Sequence, residues 1–286
     1  MIALRDVVAR VGELSPLPPT VGRLAQVVAD KRSTVDDVVG AVSYDQALTA
    51  EVLRMANSVE SASARTIATV RDAVIRLGGA RILERVVGRH VHGDMSTSIT
   101  AYGYSEDDLF RHSVASAVAT ELLGSHARVP ADGLAFTAAL LHDIGKLLLG
   151  RTAPAADMEE VWRTIRQGSC TCDEAERRVL GFTHAEVGAD VASAWKLPQL
   201  IVEAIRLHHA VESEGNSVVD AVRVANLVAR SIGEGIGNEG MSIAMDSQTA
   251  GRLGLTREGL ERLCAATSRR LKGILALYEI SGSEKR

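Results

Sequence analysis

Leu140-Leu141-His142-Asp143-Ile144-Gly145-Lys146 sets three polar residues inside an apolar run, with Ala138-Ala139 before it and Leu147-Leu148-Leu149 after it. The pattern predicts one helix from near Asp132 to Gly150. A histidine, an acid and a lysine among alanine and leucine are out of place in a core helix, because burying them is costly unless they are paired or bind an ion. His142 falls on the side of Ala138 and Gly145, small residues that let a partner helix come close. A neutral imidazole and an adjacent carboxylate can both reach one divalent ion. Lys146, one turn later, can hold a phosphate oxygen.

Other histidines stand in similar settings. His112 is expected to open a helix over Ser113–Leu123, and His184 one over Ala185–Trp195; His208-His209 end a helix containing Ile201, Ala204 and Ile205. Six potential ligands, His112, His142, Asp143, His184, His208 and His209, thus fall on four helices, and helix bundles build metal sites from facing helices in this way. His90, His92 and His126 flank linkers and are expected at the solvent surface.

The rest of the chain also has helical period. Leu24, Val27 and Val28, then Val35, Val38, Val39 and Val42, recur at i, i+3, i+4 and i+7. Ser33-Thr34-Val35-Asp36-Asp37 offers capping boxes for the second of these helices. Leu48, Val52, Met55 and Ala56 form another stripe; Val70, Val74 and Leu77 form the next, stopped by Gly78-Gly79, and Ile82, Leu83, Val86 and Val87 continue it. Val161, Trp162 and Ile165 belong to the core side of a short helix. Thr256 is the expected N-cap of a last helix over 256–280, with Leu260, Leu263, Cys264, Leu271 and Ile274 on its apolar side. With no alternating β-branched segment or hairpin signal, the fold class is all-α. Residues 93–106 read as a linker, 150–158 and 212–217 as loops, and Gly233-Glu234-Gly235-Ile236-Gly237-Asn238-Glu239-Gly240 as a flexible connection, since it lacks the preceding strand and the Lys-Ser/Thr of a phosphate loop.

Composition narrows the function classes. At 286 residues the chain can bury a full core without disulfides or a structural metal. Aromatic residues are 3%, which argues against a base-stacking RNA surface. A net charge of -4 gives no global pull on nucleic acid or an anionic membrane. No apolar run is long enough to span a bilayer, and the first residues lack the apolar core of a signal peptide. Cys170, Cys172 and Cys264 are odd in number and lack metal-ribbon spacing, which fits a reducing cytoplasm and structural or surface roles.

At its polar residues the chain resembles the HD superfamily of metal-dependent phosphohydrolases, whose ligand pattern is His, His-Asp, Asp, and more closely its HDOD branch. The resemblance covers roughly residues 14–230. It rests on Leu14-Ser15-Pro16-Leu17-Pro18, Asp45-Gln46-Ala47-Leu48-Thr49, Val52 to Ser58 and Ala73 to Gly78 in the first half. In the second half it rests on His112-Ser113, Leu140 to Lys146, His184 to Ala189, Trp195-Lys196-Leu197-Pro198 and His208-His209. It implies an N-terminal bundle of short helices over 1–100, an HD-like helical unit over 101–235 and a C-terminal helical extension over 236–286. It also implies a bacterial signalling or regulatory setting, in which HDOD proteins are mostly without demonstrated catalysis.

Two departures from the family pattern bear on function. Gln46 stands where Pro usually follows Asp45, which alters only a helix start. Asn226 stands where HD enzymes place their last metal-binding Asp. An amide is a weaker, neutral ligand, so metal affinity and activation of water should both suffer. Asp220, six residues earlier, lies about 240° around the helix and should face elsewhere. The cyclic di-GMP-hydrolysing branch also needs Gly-Tyr-Pro soon after the paired histidines, and here Ala210-Val211-Glu212-Ser213-Glu214-Gly215 follows.

The resemblance therefore implies a non-catalytic module with a degenerate metal site, binding a signalling protein or a small anionic ligand. The alternative is a phosphohydrolase acting on a nucleotide or phosphoester. There the six ligands would hold one or two ions (Fe, Mn, Zn or Mg), Asp143 and Lys146 would be catalytic, and Lys146 would steady the phosphate. A third reading is a metal-free bundle whose histidines hydrogen-bond one another and nearby carbonyls.

Overall fold

The structure is a computed structural model that describes residues 3–10, 14–15, 17–43, 45–58, 67–127, 133–168, 170–210, 216–239 and 247–276. Among them the regular elements are all helical; the one strand-like feature is an isolated antiparallel bridge between Ile99 and Tyr104. The first six helices are α1 (Leu4–Val8), α2 (Pro19–Ala29), α3 (Val35–Val42), α4 (Gln46–Ala56), α5 (Val70–Leu77) and α6 (Gly79–Met95). Local chemistry sets their ends. Thr34 and Asp37 form a reciprocal capping box on α3, and the Asp45 side chain caps α4, so Gln46 is simply the first helical residue. Gly78, at φ +79, turns the chain between α5 and α6.

The remaining helices are α7 (Asp108–Leu123), α8 (Gly133–Leu141), α9 (Gly145–Thr152), α10 (Ala155–Gln167), α11 (Cys172–Val179), α12 (His184–Ala194), α13 (Gln199–Leu207), α14 (Ser217–Ser231), α15 (Ser247–Leu253) and α16 (Arg257–Ala276). α7 lies centrally, packed against α8, α14 and α16, while α12 packs against α9 and α13. One continuous apolar cluster, rich in Ala, Val, Leu and Ile, runs through both groups of helices. Val161 and Trp162 are buried in it and Ile165 packs against its edge. Thr256 caps α16 through the Gly259 N–H, as its sequence predicts; the predicted end of that helix and most of the 212–217 loop lie outside the described residues.

Several sequence expectations change. The helix predicted from Asp132 to Gly150 is two helices, broken at His142–Ile144. Residues 93–106 begin inside α6 and then fold into the core, where Ile99, Tyr102 and Tyr104 are buried. The loop at 150–158 is only Ala153-Pro154, since the proline starts α10. His90, His92 and His126 are half-buried rather than exposed. His90 reaches the Ser15 carbonyl, and His92 sits edge-on to the Phe110 ring at 4.6 Å.

Candidate metal centre

The break between α8 and α9 is what aims the His-Asp pair. In an uninterrupted helix the Ala139 carbonyl would accept the Asp143 N–H. Here the His142 ring donates its Nδ1–H to that carbonyl at 2.6 Å, and the chain continues with tighter bonds, Ile144 N–H to Leu141 and Lys146 N–H to Asp143. His208 repeats the device at the end of α13, donating Nδ1–H to the Ile205 carbonyl at 2.7 Å. Both rings satisfy carbonyls that a helix end leaves unpaired. Burial pushes the His142 imidazole well below its ordinary value, so its Nε2 carries the lone pair. Gly145 then lets α9 meet α12: a Cβ there would lie 2.0 Å from the His184 carbonyl oxygen.

His112 sits within α7, whose start at Asp108 is earlier than the sequence predicts. Its Nδ1 donates to the Glu234 backbone carbonyl at 3.0 Å. His184 opens α12 behind a Thr183–Glu186 capping box, and its Nδ1 meets Glu176 Oε2 at 2.8 Å. Glu176 also accepts the His184 backbone N–H at 2.7 Å and the Tyr102 hydroxyl at 2.6 Å. A carboxylate behind an inward-facing imidazole fixes its tautomer and orientation. Cys172 completes this support: burial pushes its thiol up, and it contacts Glu176 as a neutral S–H.

Asp143 lies at the centre. Its Oδ2 is 3.6 Å from His112 Nε2 and 3.5 Å from His142 Nε2. Its Oδ1 is 3.3 Å from His184 Nε2 and 3.7 Å from His208 Nε2. The four imidazoles and the carboxylate are essentially sealed from solvent, while His209 is half-buried and brings its Nε2 to 3.2 Å from that of His184. Two donor groups result, His112–His142–Asp143 and Asp143–His184–His208–His209, each with ligand atoms within 4.8 Å of one another. All six sequence-predicted ligands are thus brought together, with Asp143 common to both groups.

The electrostatics of the cluster favour a cation. His112 Nε2 and His142 Nε2 face each other at 3.2 Å. Burial pushes both imidazoles below their ordinary value, so both are neutral, and both Nδ1 protons are committed to carbonyls. Two lone pairs then meet with no proton between them, an arrangement a metal ion resolves. Asp143 Oδ1 and His208 Nε2 are likewise buried without a well-formed hydrogen bond. The carbonyl ends of α8 and α13 also point their negative dipoles here. Burial pulls His184 the other way from Glu176 and Asp143, and the carboxylates prevail, holding it up at about 10. The donor set, imidazoles with a carboxylate, suits Zn, Mn or Fe.

Lys146 closes one side. Its Nζ lies 2.9 Å from Asp143 Oδ2, 3.1 Å from the Tyr104 hydroxyl and 2.5 Å from Glu239 Oε1. Burial opposes its charge, but Asp143 and Glu239 outweigh that and raise it; Lys146 in turn holds Asp143 well below the usual carboxylate range against burial. Sequence reasoning misses Glu176, Tyr102, Tyr104, Glu234 and Glu239, which come from segments with no His-Asp signature. It also treats 233–239 as a flexible connection, whereas the glycines there allow close packing. A Cβ on Gly235 would lie 2.5 Å from that of His112, and one on Gly237 would strike the Tyr102 carbonyl and the Tyr104 ring. Asn226 is buried in the middle of α14. Asp220 is bound to Arg252 at 2.6 Å and to Arg223, so it is committed elsewhere, as the helical offset predicts.

Comparison with known proteins agrees with this architecture. The HDOD domain family matches residues 14–211. A candidate signal transduction protein of Marinobacter aquaeolei VT8 shares 25% identity and a TM-score of 0.72, over 97% of this chain and 61% of that one. A candidate phosphohydrolase of Shewanella amazonensis SB2B shares 26% identity and a TM-score of 0.61, over 92% and 93%. An HDOD domain protein of unknown function from Geobacter sulfurreducens has the same fold, at 23% identity and a TM-score of 0.57, over 93% and 98%. An uncharacterized protein of Treponema pallidum (strain Nichols) is 20% identical over 77% of this chain, which spans 43% of its length. Among the described residues no helix is long and apolar enough to cross a membrane.

Proposed function

This chain belongs to the HDOD family, and from that membership we propose that it is a bacterial, cytoplasmic signalling protein: a non-catalytic module that binds a small anionic ligand or a signalling partner at a degenerate HD-type metal centre. The observation that carries the metal is the opposed pair of bare Nε2 atoms of His112 and His142, 3.2 Å apart, beside the Asp143 carboxylate. His112, His142, Asp143, His184, His208 and His209 would hold one or two divalent ions, which when bound supply Lewis acidity toward an anionic oxygen. Lys146 supplies a fixed positive charge beside them.

Two features favour binding over turnover. Asn226 leaves the site one negative charge short of the HD enzymes this chain resembles. Lys146, the group that would steady a phosphate, is already engaged by Asp143 and Glu239. The likeness to the Shewanella protein and the nearly complete donor set favour a second reading, a phosphohydrolase acting on a phosphoester or nucleotide, with Asp143 and Lys146 in catalytic roles.

The test has two parts. Metal analysis of protein purified without chelator should find a first-row divalent ion, lost in Asp143→Ala. Incubation with a panel of phosphoesters and cyclic nucleotides in Mn²⁺ or Fe²⁺ should give no turnover dependent on Asp143. Turnover that disappears in that variant establishes the second reading instead, and protein free of metal overturns both.

A further inference from the structure

The segment 233–239 is fastened over the candidate metal centre at several points. Arg111 grips the Glu234 carboxylate through two bonds of 2.9 Å, and the Glu234 carbonyl takes the His112 Nδ1–H. Gly235 lies flat on His112, and Gly237, with φ +40, on Tyr102 and Tyr104. Glu239 then reaches inward, buried, to Lys146 Nζ at 2.5 Å, with Arg230 behind it at 3.2 Å. The one buried lysine beside the metal ligands, among the described residues, is thus matched with a carboxylate from a strap rather than left open to a ligand.

We infer that residues 233–239 form a strap whose Glu239 carboxylate occupies the anion position at Lys146, so that a phosphate-class anion binds this site only by displacing Glu239 and loosening the strap. The inference rests on the anion-binding reading above. The chemistry is a like-for-like exchange, one anionic oxygen for another on the same ammonium. A buried ion pair of this kind adds little net stability over an apolar contact, because desolvation offsets the attraction, so it is well suited to being exchanged. The strap's backbone also accepts the hydrogen bond that fixes the His112 tautomer, so opening it alters a metal donor as well as the anion position.

The probe is inorganic phosphate, titrated by calorimetry into the full chain loaded with Mn²⁺, with hydrogen exchange of the 233–239 amides read in parallel. Glu239→Gln keeps the shape and removes the competing charge; it should bind phosphate about tenfold more tightly than wild type, a typical coupling between sites. Phosphate should also speed strap exchange in the wild type. Glu234→Gln, which loosens the Arg111 anchor without touching Lys146, should speed strap exchange and tighten phosphate in the same direction, and it serves if Glu239→Gln folds poorly. Equal phosphate affinity in wild type and both variants overturns the strap while leaving anion binding intact. Phosphate binding to none of them, with metal still loaded, overturns the anion-binding reading and the strap with it. Tight binding with no change in strap exchange overturns the displacement step.

Discussion

Replacing Glu176 by Gln should remove a pH-dependent part of the stability of the metal-stripped protein. Glu176 is fully buried and touches His184 twice, at the ring and at the backbone N–H. Against burial, it and Asp143 raise His184 from 6.5 to about 10. The native state therefore holds a proton that the unfolded chain gives up, and stability from this group is fully present below pH 6.5 and lost as pH rises through about 10. The expected slope is about -1.4 kcal/mol per pH unit over that window, or about 5 kcal/mol in all. At pH 7 about 4 kcal/mol of it is still present, similar to the ~3–5 kcal/mol seen when one partner of a buried ion pair is removed. Glu176 itself, lowered by His184 against burial, adds stability that is lost as pH falls through its folded value, so the acid limb should weaken too. Urea unfolding of chelator-treated wild type and Glu176→Gln at intervals from pH 6 to 10 measures this directly. Asp143 keeps its share in the variant, so the loss at pH 7 should be at most about 4 kcal/mol, shrinking as pH approaches 10. Curves that run parallel across the window, or a cost below about 1 kcal/mol at pH 7, refute the assignment of His184 as a buried imidazolium held by Glu176.

Other variants examine separate parts of the site. Gly145→Ala drives a Cβ into the His184 carbonyl and the Gly188 N–H; both are backbone, so a cost of about 3 kcal/mol or more in urea unfolding is expected. Asn226→Asp places a carboxylate where the HD enzymes this chain resembles have their last ligand, and on that reading it should tighten Mn²⁺ about tenfold by calorimetry, since ligand charge tunes such affinities; unchanged binding means that α14 does not present this position to the ion. Thr183→Ala removes the cap that starts α12 and should cost about 1 kcal/mol by thermal or urea unfolding, with metal content largely kept.

The helices and the membership of the His-Asp cluster were legible because each leaves a periodic or compositional mark. Apolar stripes at helical spacing define α2 to α6, and a histidine followed by an acid among leucines stands out because its burial needs a reason. The direction of those side chains was not legible. The run over 132–150 looks like one helix because nothing in its propensities breaks it; the break comes from His142 taking the Ala139 carbonyl, a choice made by a ring whose other nitrogen is wanted in the cluster. Likewise, Tyr102 and Tyr104 lie in a Gly-, Ser- and Thr-rich stretch, and it is partners distant in sequence, Glu176 for the Tyr102 hydroxyl and Lys146 for that of Tyr104, that hold them inward.

The glycine-rich segment carries the same lesson to the site itself. Composition alone makes 233–240 a flexible connection, and a flexible connection would leave Lys146 facing open space with only Asp143 to balance it. In the structure the glycines serve proximity instead: without side chains, Gly235 and Gly237 bring backbone against His112 and the two tyrosines, and that close approach delivers Glu239 to Lys146. Four charges result, Asp143 and Glu239 against Lys146 and Arg230, and they balance without a metal. A divalent ion bound by the cluster displaces the His184 proton, which Glu176 balances in the metal-free site, and still adds positive charge, leaving the centre net positive. Binding of the ion and of an anion are then expected to reinforce one another. Phosphate should bind more weakly to chelator-treated protein than to Mn²⁺-loaded protein, by about the 5- to 150-fold of an ordinary coupling energy. Equal affinities in the two titrations would mean that Lys146 and the histidine cluster act as separate sites.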